Sequence, residues 1–254
     1  DELFAGYVGY RFDQTRAADD DPFDVETMLE NELRDQLWGD ENFFYERDYY
    51  QFRETKAGIY SEALAGQLHE FESVNQPLID KEKIRNRNPI HKRSYIDFKL
   101  RLADHLVGDH GDRVAYANSV EARYPFLDSN LINFVTTIPP QMMVKDSTEK
   151  YILRKVARRY LPSPILKREK FGFVAPGSPY LLQKNIEWVN DILSDETIKR
   201  QGFFNPATVD RLKMIYSQEG ATINTTFELD FLMIILTFGI FMETFQMPPA
   251  NVRT

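Results

Sequence analysis

The chain has 254 residues, 43% hydrophobic and 13% aromatic, enough for a sizeable core in one large domain or two small ones. Its formal net charge of −8 argues against bulk attraction to nucleic acid or an anionic membrane, so neither partner is expected. It has no cysteine, which excludes disulfides, thiolate metal sites and cysteine nucleophiles within these residues.

The chain opens on Asp1-Glu2 rather than a basic-then-apolar leader, and it lacks an initiator Met. Asp1 is therefore expected to be an internal point of a longer protein. Residues 17–24, with Asp19, Asp20 and Asp21, read as a solvated acidic loop ending in Asp24, a helix N-cap. Val25, Met28, Leu29, Leu33 and Leu37 then fit one helix face, stopped at Gly39. Phe43-Phe44-Tyr45 and Tyr49-Tyr50 read as an aromatic helix face or packed loop rather than strand. The basic stretch Lys81, Lys83, Arg85, Arg87, Lys92 and Arg93 reads as a solvated face. His105, His110 and the nearby aspartates match no standard zinc spacing.

Leu131, Ile132 and Val135 follow Asp128 as a short helix, halted by Pro139-Pro140. Ile152, Leu153, Val156, Ala157 and Tyr160 make another, with Asp146-Ser147-Thr148-Glu149 in the form of a capping box. Leu182, Ile186, Val189 and Leu193 give a further helix, and Asn205-Pro206 opens the next. The last runs from about Thr225 to Phe245 and holds the longest apolar run, 231–242, broken by Thr237 and Gly239. A membrane span needs about 20 apolar residues, so this run reads as a buried core helix. Asp230 beside it reads as a satisfied core or edge carboxylate. Asn224-Thr225-Thr226 matches a glycosylation acceptor, which means little without a secretory signal. No βαβ alternation is visible, so the fold class is mainly α, and no linker divides the chain.

Lys150 falls in the first turn of the helix that Asp146 or Ser147 begins. A cation there opposes the helix dipole, and a bound phosphate would reverse that sign. A solvated surface Lys is the alternative. Arg154 lies one turn on, on the same face.

Three blocks carry more specific information. They are Asp1-Glu2-Leu3-Phe4-Ala5-Gly6-Tyr7, Ser119-Val120-Glu121-Ala122-Arg123-Tyr124-Pro125-Phe126-Leu127-Asp128, and Glu149-Lys150-Tyr151-Ile152-Leu153-Arg154. Together they resemble the ATP-dependent domain of the asparagine synthetase family, to which β-lactam synthetases are related. The first block resembles the latter part of that family's Ser-Gly-x-Gly-x-Asp-Glu-Leu/Val-Phe-Gly/Ala-Gly-Tyr signature. The resemblance covers mainly residues 1–7 and 112–173. Where the family reads Ser and Met, this chain has Ala115 and Tyr116, which leaves the packing there open.

The resemblance implies the helical C-terminal portion of an α/β adenine-nucleotide synthetase domain of the ATP-pyrophosphatase type. The PP-loop, most of the parallel sheet and an N-terminal glutaminase domain are then expected outside residues 1–254. It further implies a cytoplasmic enzyme using ATP and Mg2+. A carboxylate, aspartate above all, is adenylated and then attacked by ammonia that a glutaminase domain outside this chain supplies. The chain alone is expected to be inactive, and a homodimer is compatible with the family. Carried over residue by residue, Lys150 is the catalytic and phosphate-binding residue, and Asp1 a magnesium ligand. Taken alone, a terminal Asp is more simply a solvated end.

Arg154, Arg123, Arg168 and Lys170 are the remaining candidates for ATP or phosphate. Arg168 and Lys170 sit in a loop, Leu166–Phe173, that Gly172 allows to bend, with Phe171 and Phe173 packing inward as the alternative. Glu121 and Arg123 are expected to be partly buried beside Pro125 and Phe126. Glu121, Asp112 and Asp128 are read as a structural network, with Asp128 a helix cap. A lactam- or peptide-closing relative, such as a lasso-peptide cyclase, and a non-catalytic helical interaction module are the alternatives.

Overall fold

The computed structural model describes residues 1–12, 25–43, 45, 53–72, 74, 78–168, 175–223 and 229–250. Helices carry nearly all of its regular structure, as the absence of βαβ alternation led one to expect. Among the described residues, β pairing is limited to two isolated antiparallel bridges, Tyr60 with Phe204 and Lys145 with Thr148.

The chain folds as two compact units. One takes residues 1–49 and 73–169, the other 50–72 and 170–254. No linker marks this division in the sequence, because the second unit borrows a segment from the middle of the chain. The chain crosses between the two units three times, so no single composition shift marks the boundary. The acidic loop at 17–24 with the Asp24 cap, Phe44, Tyr49, Tyr50, Lys170 to Phe173 and Asn224 to Thr226 lie outside the described residues.

In the first unit the helix Val25–Trp38 buries only part of the expected face, Leu33 and Leu37. Val25, Met28 and Leu29 are exposed, and the inner stripe is Glu30, Leu33, Arg34, Leu37 and Trp38. This stripe has helical spacing, but it includes an ion pair, Arg34 Nε to Glu30 at 3.8 Å, which an apolar pattern search passes over. Trp38 packs edge-on against Tyr45 with ring centroids 5.4 Å apart, so Tyr45 belongs to a packed loop.

The basic stretch is not wholly a solvated face. Lys92 and Arg93 are buried. Lys92 pairs with Asp40, and Arg93 lies over the rings of Tyr45 at 5.1 Å and Tyr10 at 5.7 Å. A buried cation needs such partners, and aromatic faces supply part of them. Asn88 caps the helix Pro89–Ile96 by accepting from the Ile90 amide at 3.0 Å. The coil continues as a π-helical stretch, Asp97–Arg113. Its i to i+5 winding brings His105 and His110 ring to ring, 4.4 Å between centroids. The core of this unit holds Phe4, Ala5, Tyr10, Ile90, Val135, Ile138, Met143 and Val144.

In the second unit the apolar run forms the helix Phe231–Thr244, which buries Leu232, Ile235, Leu236, Gly239 and Met242. Burial of each large side chain here contributes roughly 1.5–3 kcal/mol. No described helix is long and apolar enough to cross a membrane. Gly239 is required at its position, since a Cβ would collide with Ile192. Asp230 caps this helix, accepting from the Met233 amide at 2.9 Å, and also accepts from the Ser178 amide and hydroxyl, both at 2.6 Å. The helix expected across Leu182 to Leu193 is two, Ser178–Gln183 and Glu187–Ile192. Asn185 takes a left-handed φ of 49° between them, a conformation Asn tolerates and a continuous helix does not.

Candidate functional site

The site is built on a tight turn at the start of the chain. The Asp1 carbonyl accepts from the amides of Gly6 at 2.8 Å and Phe4 at 3.3 Å. Phe4 and Ala5 are buried, which anchors the turn in the core of the first unit. The Glu2 side chain points inward and accepts from the Tyr7 hydroxyl. Burial raises the Glu2 carboxyl, but hydrogen bonding led by Tyr7 brings it below its ordinary value. Burial and Glu2 together push the Tyr7 hydroxyl up.

Lys150 reaches this turn from the other side and forms an ion pair with Asp1. Its backbone setting corrects the capping-box expectation. Asp146 and Ser147 both have positive φ and make a two-residue turn, closed by reciprocal Lys145 and Thr148 hydrogen bonds of 3.1 and 2.8 Å. The helix begins only at Tyr151, and Lys150 is its N-cap in the left-handed region, φ 54°. Lys150 therefore precedes the first turn instead of lying in it. A Lys in that conformation costs on the order of 1 kcal/mol. Burial, then the neighbouring Arg154, hold its ammonium below the ordinary lysine range.

Gly6 makes the Asp1–Lys150 approach possible. A Cβ on Gly6 would occupy the space taken by Lys150 Cε and Asp1 Oδ1. Glu149, buried, is anchored by Arg11 Nε at 2.5 Å. Burial raises its carboxyl, and hydrogen bonding led by Arg11, with the charges of Arg11 and Arg154, brings it below its ordinary value. Gly6, Arg11 and Glu149 were not singled out from sequence as site residues. Gly6 lies inside the first block, but its role needs the contact to residue 150.

Asp1 and Lys150 open onto a pocket of about 430 Å³. Arg123 also lines it, so three of the sequence-derived candidates share one cavity. The walls are mostly apolar: Leu102, Leu106, Tyr124, Phe126, Leu127 and Leu153. Phe126 packs edge-on against Phe4, centroids 6.0 Å apart, which ties the Pro125–Leu127 turn to the Asp1 turn. Asp112 accepts from the Tyr124 hydroxyl at 3.0 Å. Asp128 caps the helix Ser129–Val135, accepting from the Asn130 and Leu131 amides at 2.9 and 3.2 Å.

Glu121 and Arg123 pair with each other at 2.6 Å, but at 68% and 81% exposure they are not the half-buried pair expected. Between and beside them Ala122 and Tyr124 are half-buried. Arg154 faces away from the pocket. Its Nε donates to the Glu149 carbonyl at 3.0 Å and its Nη1 to the Leu166 carbonyl. It lines a separate groove with Lys155, Arg158 and Lys167. Arg168 is exposed at the end of the helix Ser163–Lys167 and lines neither cavity, and Lys170 lies outside the described residues.

Deeper in the same unit, Asp97 is fully buried. It accepts from the hydroxyls of Tyr10 and Tyr45, each at 2.7 Å, and Arg101 stands 3.7 Å away. Burial pushes its carboxyl up, against the pull of the tyrosines and arginines.

The asparagine synthase family model matches residues 1–230. The chain belongs to the asparagine synthase family. It is 34% identical to the glutamine-hydrolysing asparagine synthetase 1 of Bacillus subtilis over 42% of this chain and 17% of that protein. It is 27% identical to asparagine synthetase 3 of the same organism over 68% of this chain and 30% of that protein. Amidase chyE of Penicillium rubens is 26% identical over 52% of this chain and 21% of its own length. The chain thus spans less than a third of the length of these relatives. No solved structure matches it.

Proposed function

We propose that this chain supplies the Lys150–Asp1 part of the active site of an ATP-dependent amide-forming ligase. The observation that carries this reading is the ion pair itself, set at one pocket by Gly6 and joined there by Arg123. In the reaction, an oxygen of the substrate carboxylate attacks the α-phosphate of ATP and pyrophosphate leaves. Ammonia then attacks the acyl carbon and AMP departs. Lys150 would stabilise the negative charge that gathers on phosphate in both steps.

The residues fit a magnesium–nucleotide complex. Among the described residues no group of three or more His, Asp or Glu gathers that could hold a metal. Asp1 alone would hold a magnesium ion whose other ligands are phosphate oxygens and water, the usual arrangement for that ion. The bound ion would neutralise phosphate charge.

Aspartate as the acid, glutamine-derived ammonia from a domain outside this chain, and a PP-loop on a parallel sheet complete the asparagine synthetase form of the proposal. The apolar pocket walls favour a second form, in which a larger, partly apolar carboxylate is amidated or closed on its own amine. A screen of carboxylates for AMP release separates the two. The core proposal is tested by carboxylate-dependent ATP–pyrophosphate exchange in the full-length protein. Lys150→Ala should abolish it, and retained exchange would refute the role given to Lys150.

A further inference from the structure

Two chains of contacts connect the buried Asp97 to Glu2, the residue next to Asp1. In the first, the Tyr10 hydroxyl lies 2.7 Å from Asp97 Oδ2, 3.3 Å from Ser94 Oγ and 3.4 Å from the Glu2 carbonyl. The phenol proton is shared unequally, held mainly by Asp97 with the Glu2 carbonyl as a weaker second acceptor. In the second, Arg101 stands by Asp97 Oδ1 and lies over the Tyr7 ring at 5.0 Å, and Tyr7 donates to the Glu2 carboxylate. Glu2 is thereby held at its carbonyl and at its side chain. Asp1 precedes it directly, so the backbone of the Asp1 turn is tied to both chains of contacts.

We propose that Asp97, acting through Tyr10 and through Arg101 and Tyr7, is the positioning residue that fixes the Asp1 turn against Lys150. The proposal rests on the ligase reading for its functional consequence, but not for its structural one. Placement matters because groups that face a reacting phosphate lose effect steeply when displaced by about 1 Å.

Tyr45 provides the control. It donates to Asp97 Oδ1 at the same 2.7 Å at which Tyr10 donates to Oδ2, and Tyr10 in addition reaches the Glu2 carbonyl. Tyr10→Phe and Tyr45→Phe should therefore lower the melting temperature of the full-length protein to a similar extent. Hydrogen exchange distinguishes them. The Phe4 and Gly6 amides, which donate to the Asp1 carbonyl, should exchange about tenfold faster or more in Tyr10→Phe and Tyr7→Phe, and within about twofold of wild type in Tyr45→Phe. Pyrophosphate exchange should fall by about tenfold in the first two variants and stay within about twofold in the third.

Equal acceleration in Tyr10→Phe and Tyr45→Phe overturns the proposal, as does no acceleration in Tyr10→Phe and Tyr7→Phe. Should Tyr10→Phe not fold, Tyr7→Phe against Tyr45→Phe decides in the same way. A wild-type protein silent in pyrophosphate exchange would sink the ligase reading and leave the amide-exchange comparison standing.

Discussion

Gly6 lies against the Lys150 side chain at the point where that side chain meets Asp1. The two residues are 144 positions apart in sequence, and each has an unusual backbone or side-chain requirement that the other explains. Gly6 lacks a side chain where Lys150 passes, and Lys150 adopts a left-handed φ of 54° that aims it there.

Gly6→Ala should break this contact. The added methyl has no open space, and the neighbour it meets includes Asp1 Cα at 2.9 Å, which cannot swing aside. A loss of about 1–3 kcal/mol in denaturant unfolding is expected, together with loss of pyrophosphate exchange. A variant of wild-type stability and activity would remove Gly6 from the site.

Lys150→Gly should separate stability from function. It removes an ion pair of partly exposed groups, which contributes about 0–1 kcal/mol, and relieves a backbone strain of about the same size. Unfolding free energy should stay within about 1 kcal/mol of wild type while exchange disappears. A large destabilisation would instead make Lys150 a structural residue.

The Arg11–Glu149 pair predicts an acid-side dependence. Glu149 has its carboxyl depressed in the folded protein, so its stabilisation is present above the unfolded value near 4.5 and fades as pH falls through the lower folded value. Glu149→Gln should cost about 1–3 kcal/mol at neutral pH, because the carboxylate side of the pair is buried. The gap between wild type and variant should narrow below pH 4.5. A gap independent of pH would show that the charge on Glu149 is not what matters.

Asp230 tests the second unit. It accepts three hydrogen bonds, from Ser178 twice and from Met233. Asp230→Ala should cost about 2–4 kcal/mol, seen in thermal or denaturant unfolding, since it removes a helix cap and strands the amide and hydroxyl of the buried Ser178. A loss below about 0.5 kcal/mol would mean that water replaces all three.

Helix content, the helix at 231–244 with its buried face and the family were legible in the sequence, because each rests on local pattern; that Ile234, Ile240 and Phe241 stay exposed on that helix was not. Apolar spacing reports a core face, and short contiguous motifs such as Pro125 to Asp128 survive without tertiary context. The inner face of the helix Val25–Trp38 was read only in part, at Leu33 and Leu37, because Glu30 and Arg34 are buried as a pair, and pairing is not a local property. Lys92 and Arg93 were assigned to solvent for the same reason; their partners, Asp40, Tyr10 and Tyr45, come from elsewhere in the chain.

By itself, then, the sequence determined which residue types stand at Asp1, Lys150 and Arg123 and which family's chemistry they suggest. Only the tertiary structure decided that these three share a pocket, that Arg154 is turned to two backbone carbonyls, and that Glu121 and Arg123 are exposed. The physical reason is that a charged side chain takes its meaning from what desolvates it and what pairs with it. Both are set by segments brought together in folding, here the Asp1 turn, the Tyr124–Leu127 segment and the cap of the helix at Tyr151.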